Sequence, residues 1–282
     1  MRVALATCDA WPDLDADGPV LLQALADEGL AVEVISWDEP GVDWGAFDLV
    51  VIRCTWDYWD RHADFLAWTR SVPRLANSAD VVAWNTDKTY LKRLADAGVP
   101  VIPTVWVAPG EQYDVPTYPF VVKPSVSAGA RDTAAYEAGD EASIAHVADI
   151  HARGKTAMVQ PYVAEIEGAG ETSVLVFDGV VSHAARKSPV LTVGEGEAEY
   201  GGWSMGPREA STEEVALAER AVAVAQEWGD ELLYARADVL PGPLLIELEV
   251  TEPSLFLVHA PGSERTYARA VRRWTERASS QR

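Results

Sequence analysis

Three acidic residues near the end of the chain carry the strongest chemical signal in the sequence. Glu247 and Glu249 lie two positions apart in the segment 246–254, and since side chains alternate between the faces of a strand, both belong to one face. Asp238 lies in the preceding strand-like segment. Three carboxylates on one sheet face repel one another unless a cation lies between them, and Mg²⁺ prefers such oxygen ligands. A solvent-facing strand with ordinary acidic residues fits the same pattern.

Two lysines are candidates for holding phosphate groups. Lys123 ends an apolar strand and precedes a loop of small residues, 125–130. Small residues let a backbone approach a phosphate closely, and a lysine adds positive charge. Lys88, near the start of a predicted helix, carries the same charge. Taken alone, each of them is also explained as a surface lysine beside a loop or helix.

The elements that must position these residues begin with an N-terminal α/β layer. Apolar runs at 3–6, 31–35 and 49–52 predict strands, and helical patterns at 19–26 and 65–69 lie between and after them. This alternation favours a small parallel sheet with helices packed against it.

The rest of the chain predicts further helices and two pairs of strands. Thr86 to Ala97 has the pattern of one helix, ended by Gly98. Segments 141–153 and 212–228 also have helical patterns. The strand candidates lie at 120–123, 157–160, 236–240 and 244–250.

Composition excludes several classes of function. The 282 residues include 23 Lys and Arg against 44 Asp and Glu, a net charge of −21, which opposes binding to nucleic acid or to anionic membranes. Two cysteines, Cys8 and Cys54, are too few for a disulfide framework or a cysteine-based zinc site. No apolar run approaches about 18 residues, the length that a membrane span needs. We therefore expect a soluble cytoplasmic protein that binds neither nucleic acid nor membranes.

Taken in order along the chain, these features resemble the ATP-grasp superfamily, in the branch that includes bacterial glutathione synthetase. The resemblance extends from about Thr86 to Phe256 and implies an α/β fold, α+β in the ATP-binding part, with an N-terminal Rossmann-like parallel layer. It implies three domains, at 1–85, 86–170 and 171–282.

The resemblance also implies roles for individual residues, with ATP and two Mg²⁺ ions as cofactors. The residues expected to bind the nucleotide are Lys88, Lys123, Ser125, Ser127, Ala128, Gly129, Gln160, Tyr162 and Val163. Glu165, Glu167 and Glu171 compete to hold the ribose, with Glu165 and Glu171 preferred. Arg186 is expected to stabilise the transferring phosphoryl group. The expected metal ligands are Asp238, Glu247 and Glu249, although many relatives have Asn at the third position.

The substrate is expected to lie beside the N-terminal layer, because ligands of open α/β sheets bind beyond the carboxyl ends of the strands. Arg53 is a candidate to bind a carboxylate and Asp57 to bind an ammonium group. The full set of substrate candidates is Cys8, Asp9, Arg53, Thr55, Trp56, Asp57 and Ser254. A loop packed by its own aromatic residues explains 53–58 equally well.

Two motifs narrow the resemblance. Arg-x-Thr-Trp-Asp-Tyr at 53–58 and Glu-Leu-Glu-Val-Thr-Glu-Pro-Ser-Leu-Phe at 247–256 resemble a short actinobacterial-type subgroup that includes a cycloserine-forming cyclase. The primary hypothesis is an enzyme that phosphorylates an amino-acid-like substrate and forms a C–N bond. The alternatives are ATP-dependent cyclisation of an O-ureido amino acid and an inactive nucleotide-binding scaffold. The resemblance also allows a homodimer.

Overall fold

The N-terminal part of the chain forms a four-stranded parallel sheet. The computed structural model describes residues 1–189, 191, 193, 196–197, 204–227 and 231–280. The strands, in the order β2-β1-β3-β4, are β1 (Arg2–Thr7), β2 (Ala31–Ser36), β3 (Leu49–Ile52) and β4 (Leu75–Ala76). Residues 3–6 and 49–52 are fully buried, as expected for strands covered on both faces. Helices α1 (Gly18–Asp27) and α2 (His62–Ser71) complete the predicted α/β layer.

The helix predicted over 86–97 is wrong in its first turn. The chain forms α3 (Ala79–Asn85) and then α4 (Tyr90–Asp96), so Lys88 lies in the turn between two helices. The Lys88 backbone N–H donates to the Ser125 carbonyl oxygen at 2.8 Å. This contact, across 37 residues of chain, ties the turn to the small-residue loop, and no local periodicity reveals it.

The second sheet carries that loop. Its order is β11-β7-β6-β8-β5, and all of its pairings are antiparallel. The strands are β5 (Val105–Val107), β6 (Phe120–Pro124), β7 (Ala134–Tyr136), β8 (Ala157–Pro161) and β11 (Gly196–Glu197). Helix α5 (Ala142–Ala152) buries Val147 and Ile150 against this sheet, and the short helix α6 (Ile166–Ala169) follows β8.

The third sheet is antiparallel and carries the acidic residues. Its order is β12-β10-β9-β13-β14. The strands are β9 (Glu171–Phe177), β10 (Val180–Lys187), β12 (Met205–Arg208), β13 (Tyr234–Leu240) and β14 (Leu244–Glu249). Helix α7 (Thr212–Gln226), which begins at a Ser211–Glu214 capping box, packs on one face of this sheet. The polar residues therefore remain on the other face.

Two buried asparagines connect the N-terminal half to the third sheet. Asn77 donates to the carbonyl oxygens of Tyr234 and Val250, at 2.9 and 2.7 Å. The Asn85 amide donates to Leu248 at 2.6 Å and accepts from the Val250 N–H at 2.9 Å. These bonds fix the position of the segment that follows β14. The C-terminal helix α8 (Ser263–Ser280) packs against α1.

Among the described helices, none combines the length and the apolar character needed to cross a membrane. The domain boundaries at 85 and 170 stay a prediction.

Candidate active site

The register of β13 and β14 brings the three predicted metal ligands together. Asp238 pairs with Glu247 and Arg236 pairs with Glu249. Paired residues of antiparallel strands share a face, so all four side chains lie on the face that α7 leaves open. One carboxylate oxygen from each of Asp238, Glu247 and Glu249 lies within 4.8 Å of the others. Three closely spaced hard oxygen donors fit Mg²⁺.

Cationic side chains of the chain itself offset the mutual repulsion of these carboxylates. The Lys88 ammonium lies 3.1 Å from Glu247. Arg236 donates to both oxygens of Asp238, at 2.9 and 2.8 Å, and to Glu249. Burial raises the pKa of Asp238, but the charges of Arg236 and Lys187 outweigh burial and hold that pKa below its usual range.

The negative charge of Glu249 is less well compensated by nearby cations than that of Asp238. Burial raises its pKa to about 7, and the negative charges of Glu247 and Asp238 add to this effect against the opposing charge of Arg236. A carboxyl group in this position gains a stable charge when a cation arrives. The additional charge relative to asparagine is therefore compatible with a metal site.

The loop after β6 forms a cradle of small residues, the predicted site for phosphate groups. Lys88 donates its ammonium to the Ser127 carbonyl at 2.7 Å, and Lys155 donates to the Val126 carbonyl at 2.9 Å. A cavity lies here, lined by residues of both antiparallel sheets. Gly129 and Ala130 have left-handed φ values of 64° and 59°, which turn the chain sharply over this cavity. Ser127, Ala128, Gly129 and Ala130 line this cavity, whereas Ser125 is buried behind them.

Lys123 lines the same cavity, and its ammonium has no hydrogen-bond or ion-pair partner within the described part of the chain. Burial lowers its pKa to about 8, and the charge of Lys88 adds to this effect. A buried lysine without a partner is stabilised by an incoming anion.

The far end of the cavity has the properties of an adenine site. Its walls contain Gln160, Tyr162 and Val163, as predicted, together with Ile166 and Ile246. Gln160 donates its side-chain amide to Thr104 at 2.9 Å, which fixes the amide orientation. Apolar walls with a few fixed polar groups are typical of small-molecule sites.

The structure separates the three ribose candidates. Glu171 is buried and lines the cavity, where its carboxylate pairs with Lys187 at 2.6 Å. Glu165 is exposed and lies outside the cavity wall. Glu167 is exposed and accepts a hydrogen bond from the Tyr162 hydroxyl.

The opposite end of the cavity has aromatic walls. Trp11 and Trp56 meet edge to face with their ring centroids 4.9 Å apart, and both line the cavity beside Glu252, Ser254 and Phe256. Trp56 and Ser254 are predicted substrate residues that the structure brings to this end.

The structure does not bring the other substrate candidates to the cavity. Arg53 is buried and donates to the Pro253 carbonyl at 2.9 Å. Asp57 accepts from Trp37 and pairs with Arg61. Of the remaining candidates, Cys8 and Thr55 are buried in the core and Asp9 is exposed. All five side chains are absent from the cavity wall. Arg53 and Asp57 have partners within the fold, whereas the buried Thr55 hydroxyl has none among the described residues. A role of these five residues in substrate binding stays a prediction.

Arg186 also lies outside the cavity, because its side chain lies on the face of the sheet opposite to the cavity. In β10, Lys187 pairs with Glu171 and Arg186 pairs with Thr172, so the two cations belong to opposite faces. Arg186 donates to the Ala169 and Gly168 carbonyls, at 2.8 and 3.1 Å. Lys187 faces the cavity, 3.6 Å from Asp238.

Three functional candidates were missed in the sequence. Arg236 lies two positions before Asp238, so strand alternation alone was sufficient to find it. Lys187 requires the register between β9 and β10. Glu252 follows β14 in a loop, where no periodicity applies.

Comparisons with known proteins identify the family of this chain. Residues 3–77 match a family model described as the N-terminal domain of D-cycloserine synthetase DcsG. The cycloserine biosynthesis protein DcsG of Streptomyces lavendulae is 35% identical over an alignment that covers 95% of this chain and 97% of that protein. A crystal structure of D-cycloserine synthetase DcsG has a TM-score of 0.89 at 33% identity, covering 99% of this chain and 100% of the other.

More distant similarity concerns the fold. The D-alanine–D-alanine ligase of Bacillus anthracis has a TM-score of 0.68 at 13% identity, over 100% of this chain and 99% of the other, and a structure of that ligase contains ATP. The α/β fold and the ATP-grasp resemblance are confirmed. The chain therefore belongs to the family of D-cycloserine synthetase DcsG and is an ATP-dependent ligase with the ATP-grasp fold.

Proposed function

We propose that this ligase acts within a single molecule and closes the ring of an O-ureido amino acid, as expected of a relative of a cycloserine synthetase. The observation that carries the proposal is one continuous cavity. It extends from the apolar slot at Gln160, past the acidic cluster at Glu247, to the aromatic end at Trp56. Nucleotide, metal and a small acceptor therefore fit side by side.

The residues of the cavity divide the work of phosphoryl transfer. Gln160, Tyr162 and Val163 hold the adenine, and Glu171 holds the ribose. Lys88, Lys123 and Lys187 neutralise the phosphates, while the cradle at 127–130 encloses them and excludes water. Asp238, Glu247 and Glu249 hold two Mg²⁺ ions.

ATP supplies the phosphoryl group that activates a substrate carboxylate as an acylphosphate, which a nitrogen of the same molecule then attacks with loss of phosphate. Arg236 lies between the acidic cluster and the aromatic end, where its guanidinium stabilises negative charge on the acceptor. No protein nucleophile is required.

A phosphate-release assay tests the proposal. Purified protein with ATP and Mg²⁺ is given O-ureidoserine, single amino acids and pairs of amino acids. We expect release with O-ureidoserine alone and a cyclic product in the mass spectrum. Release that requires a pair would assign an intermolecular carboxylate–amine ligase instead. ATP binding without release under any condition would favour the inactive scaffold.

The proposal retains two expectations from the sequence, a cytoplasmic enzyme and a homodimer. Light scattering of the purified protein tests the second.

A further inference from the structure

Glu252 differs from the other acidic residues of the cavity wall. Glu171 is paired with Lys187, Glu247 with Lys88, and Glu249 with Arg236. The Glu252 side chain is part of the same wall, with the residue only 6% exposed. Within the described residues, its carboxylate has no hydrogen-bond or ion-pair partner. It also stands outside the group of carboxylates whose spacing fits a metal ion.

The backbone around Glu252 is held rigidly by side chains from other elements. Five consecutive carbonyl oxygens, from Thr251 to Leu255, each accept a side-chain hydrogen bond. The donors, in that order, are Tyr234, Trp56, Arg53, Arg236 and His183, at 2.8, 3.0, 2.9, 3.3 and 2.9 Å. The loop is thus fixed from several sides, while the polar end of Glu252 is left without a bond. A preorganised group of this kind loses little entropy when a ligand binds it.

The chemistry of the surroundings selects the ligand. An unpaired buried carboxylate is costly, and a cation relieves that cost. The nearby protein cations are engaged elsewhere, because Lys88 binds Glu247 and Ser127, and Arg236 binds Asp238 and Glu249. The indole rings of Trp11 and Trp56 line this end, and aromatic faces attract ammonium groups.

We infer that Glu252 is a specificity-determining residue that binds the ammonium group of the amino-acid substrate. The inference rests on the proposed function and deepens it, because it assigns the recognition of the amino group to a residue of the aromatic end. Arg53 and Trp56 are then positioning residues, since Trp56 holds the carbonyl of Glu252 itself and Arg53 holds that of Pro253.

The electrostatics of the cavity agree with this role. Burial raises the pKa of Glu252 to about 8, and the charge of Glu249 adds to the effect. An ammonium group beside the carboxyl favours its ionised form. Substrate binding and ionisation of Glu252 therefore support each other.

A comparison of two substrates tests the inference. O-ureidoserine carries the ammonium group, and 3-(ureidooxy)propanoate has hydrogen in its place. We expect the wild-type enzyme to prefer O-ureidoserine by about 100-fold in kcat/KM, and Glu252→Gln to lose most of this preference through a higher KM for O-ureidoserine. The kcat/KM for the analogue and the KM for ATP should change less than about twofold, since neither ligand offers an ammonium group to this residue. Glu252→Asp, which keeps the charge, should restore part of the preference.

The controls separate the inference from its alternatives. Glu219→Gln, an exposed change in α7, should behave as wild type. An equal loss for both substrates in Glu252→Gln would indicate a structural or proton-transfer role and overturn the inference. So would a changed Mg²⁺ requirement.

Failure of the proposed function gives a different result. If the wild-type enzyme turns over neither ureido compound, binding of amino acids and of their deaminated counterparts is measured by calorimetry with a non-hydrolysable ATP analogue. Ammonium-dependent binding that Glu252→Gln abolishes would support the inference, and binding without such dependence would overturn it.

Discussion

The two ends of the cavity differ in whether their carboxyl groups have cationic partners from the chain. At the acidic cluster, each carboxylate has a cationic partner from the chain, such as Lys88 for Glu247 and Arg236 for Asp238. At the aromatic end, Glu252 has none within the described residues, although the residue is only 6% exposed. The first end is compensated before any ligand arrives, whereas the second end depends on its ligand for compensation.

The difference follows from how each end is built. The acidic cluster lies on paired strands, whose register places Arg236 opposite Glu249. The aromatic end lies on a loop held by its carbonyl oxygens, which leaves the side chains free to serve a ligand. Carboxylates that are paired with cations of the same chain suit a site whose metal and nucleotide exchange in each catalytic cycle. A buried carboxyl group whose ionised form is favoured by its ligand suits selection of one substrate group.

The largest expected effect is at the strand-borne end. Glu247→Gln removes a negative charge from the three-carboxylate group and leaves Lys88 without its partner at 3.1 Å. We expect Mg²⁺-dependent ATP turnover to fall by about 10³-fold, because the metal neutralises charge that develops during transfer. The rate of phosphate release measures this turnover, and an unchanged circular dichroism spectrum shows that the fold is intact. Turnover near that of the control variant Glu219→Gln would contradict the assignment of Glu247 as a metal ligand.

The second prediction uses two adjacent cations on opposite faces of β10. Lys187→Met removes a charge from the cavity, whereas Arg186→Met removes bonds to the Ala169 and Gly168 carbonyls. We expect kcat to fall by about 100-fold for Lys187→Met and by only a few-fold for Arg186→Met. The reverse order of losses would restore Arg186 as the residue that stabilises the transferring group.

These cases show how far the sequence alone predicts the site. The alternation of Glu247 and Glu249, the small-residue loop after Lys123 and the parallel N-terminal strands are local patterns, and the structure agrees with each. Arg186 was the residue predicted from the sequence, whereas the neighbouring residue Lys187 faces the cavity. The choice between the two depends on the pairing of β10 with β9.

Arg53, a predicted substrate residue, lies outside the cavity wall for a related reason. Its partner, the Pro253 carbonyl, is 200 residues away in the chain, and no local pattern encodes such a contact. Glu252 was missed because its importance lies in the lack of a partner. That property belongs to the packed structure and not to the sequence.

The third prediction concerns Lys123, whose pKa is lowered to about 8, mainly by burial. At pH 8.5 the free enzyme holds this side chain mostly neutral, and bound phosphates favour its charged form, so ATP binding should take up a proton. We expect calorimetry in buffers of different ionisation enthalpy to show this uptake for the wild type. Lys123→Met should bind ATP about tenfold more weakly and take up less proton. Equal uptake by both proteins would contradict the assignment.

The smallest effect on activity is expected at Arg53, which connects the N-terminal layer to the loop of the aromatic end. Arg53→Met removes the hydrogen bond to the Pro253 carbonyl and the positive charge 3.9 Å from the Asp15 carboxylate, so we expect a loss of about 3 kcal/mol in the free energy of unfolding. The KM for the amino-acid substrate should rise only a few-fold, since Glu252 remains present but is less firmly held. Chemical denaturation and steady-state kinetics measure the two quantities. Arg61→Met, which removes solvent-accessible pairs with Asp38 and Asp57, should cost less, about 1 kcal/mol. A large rise in KM without loss of stability would instead assign Arg53 to direct binding of the substrate carboxylate.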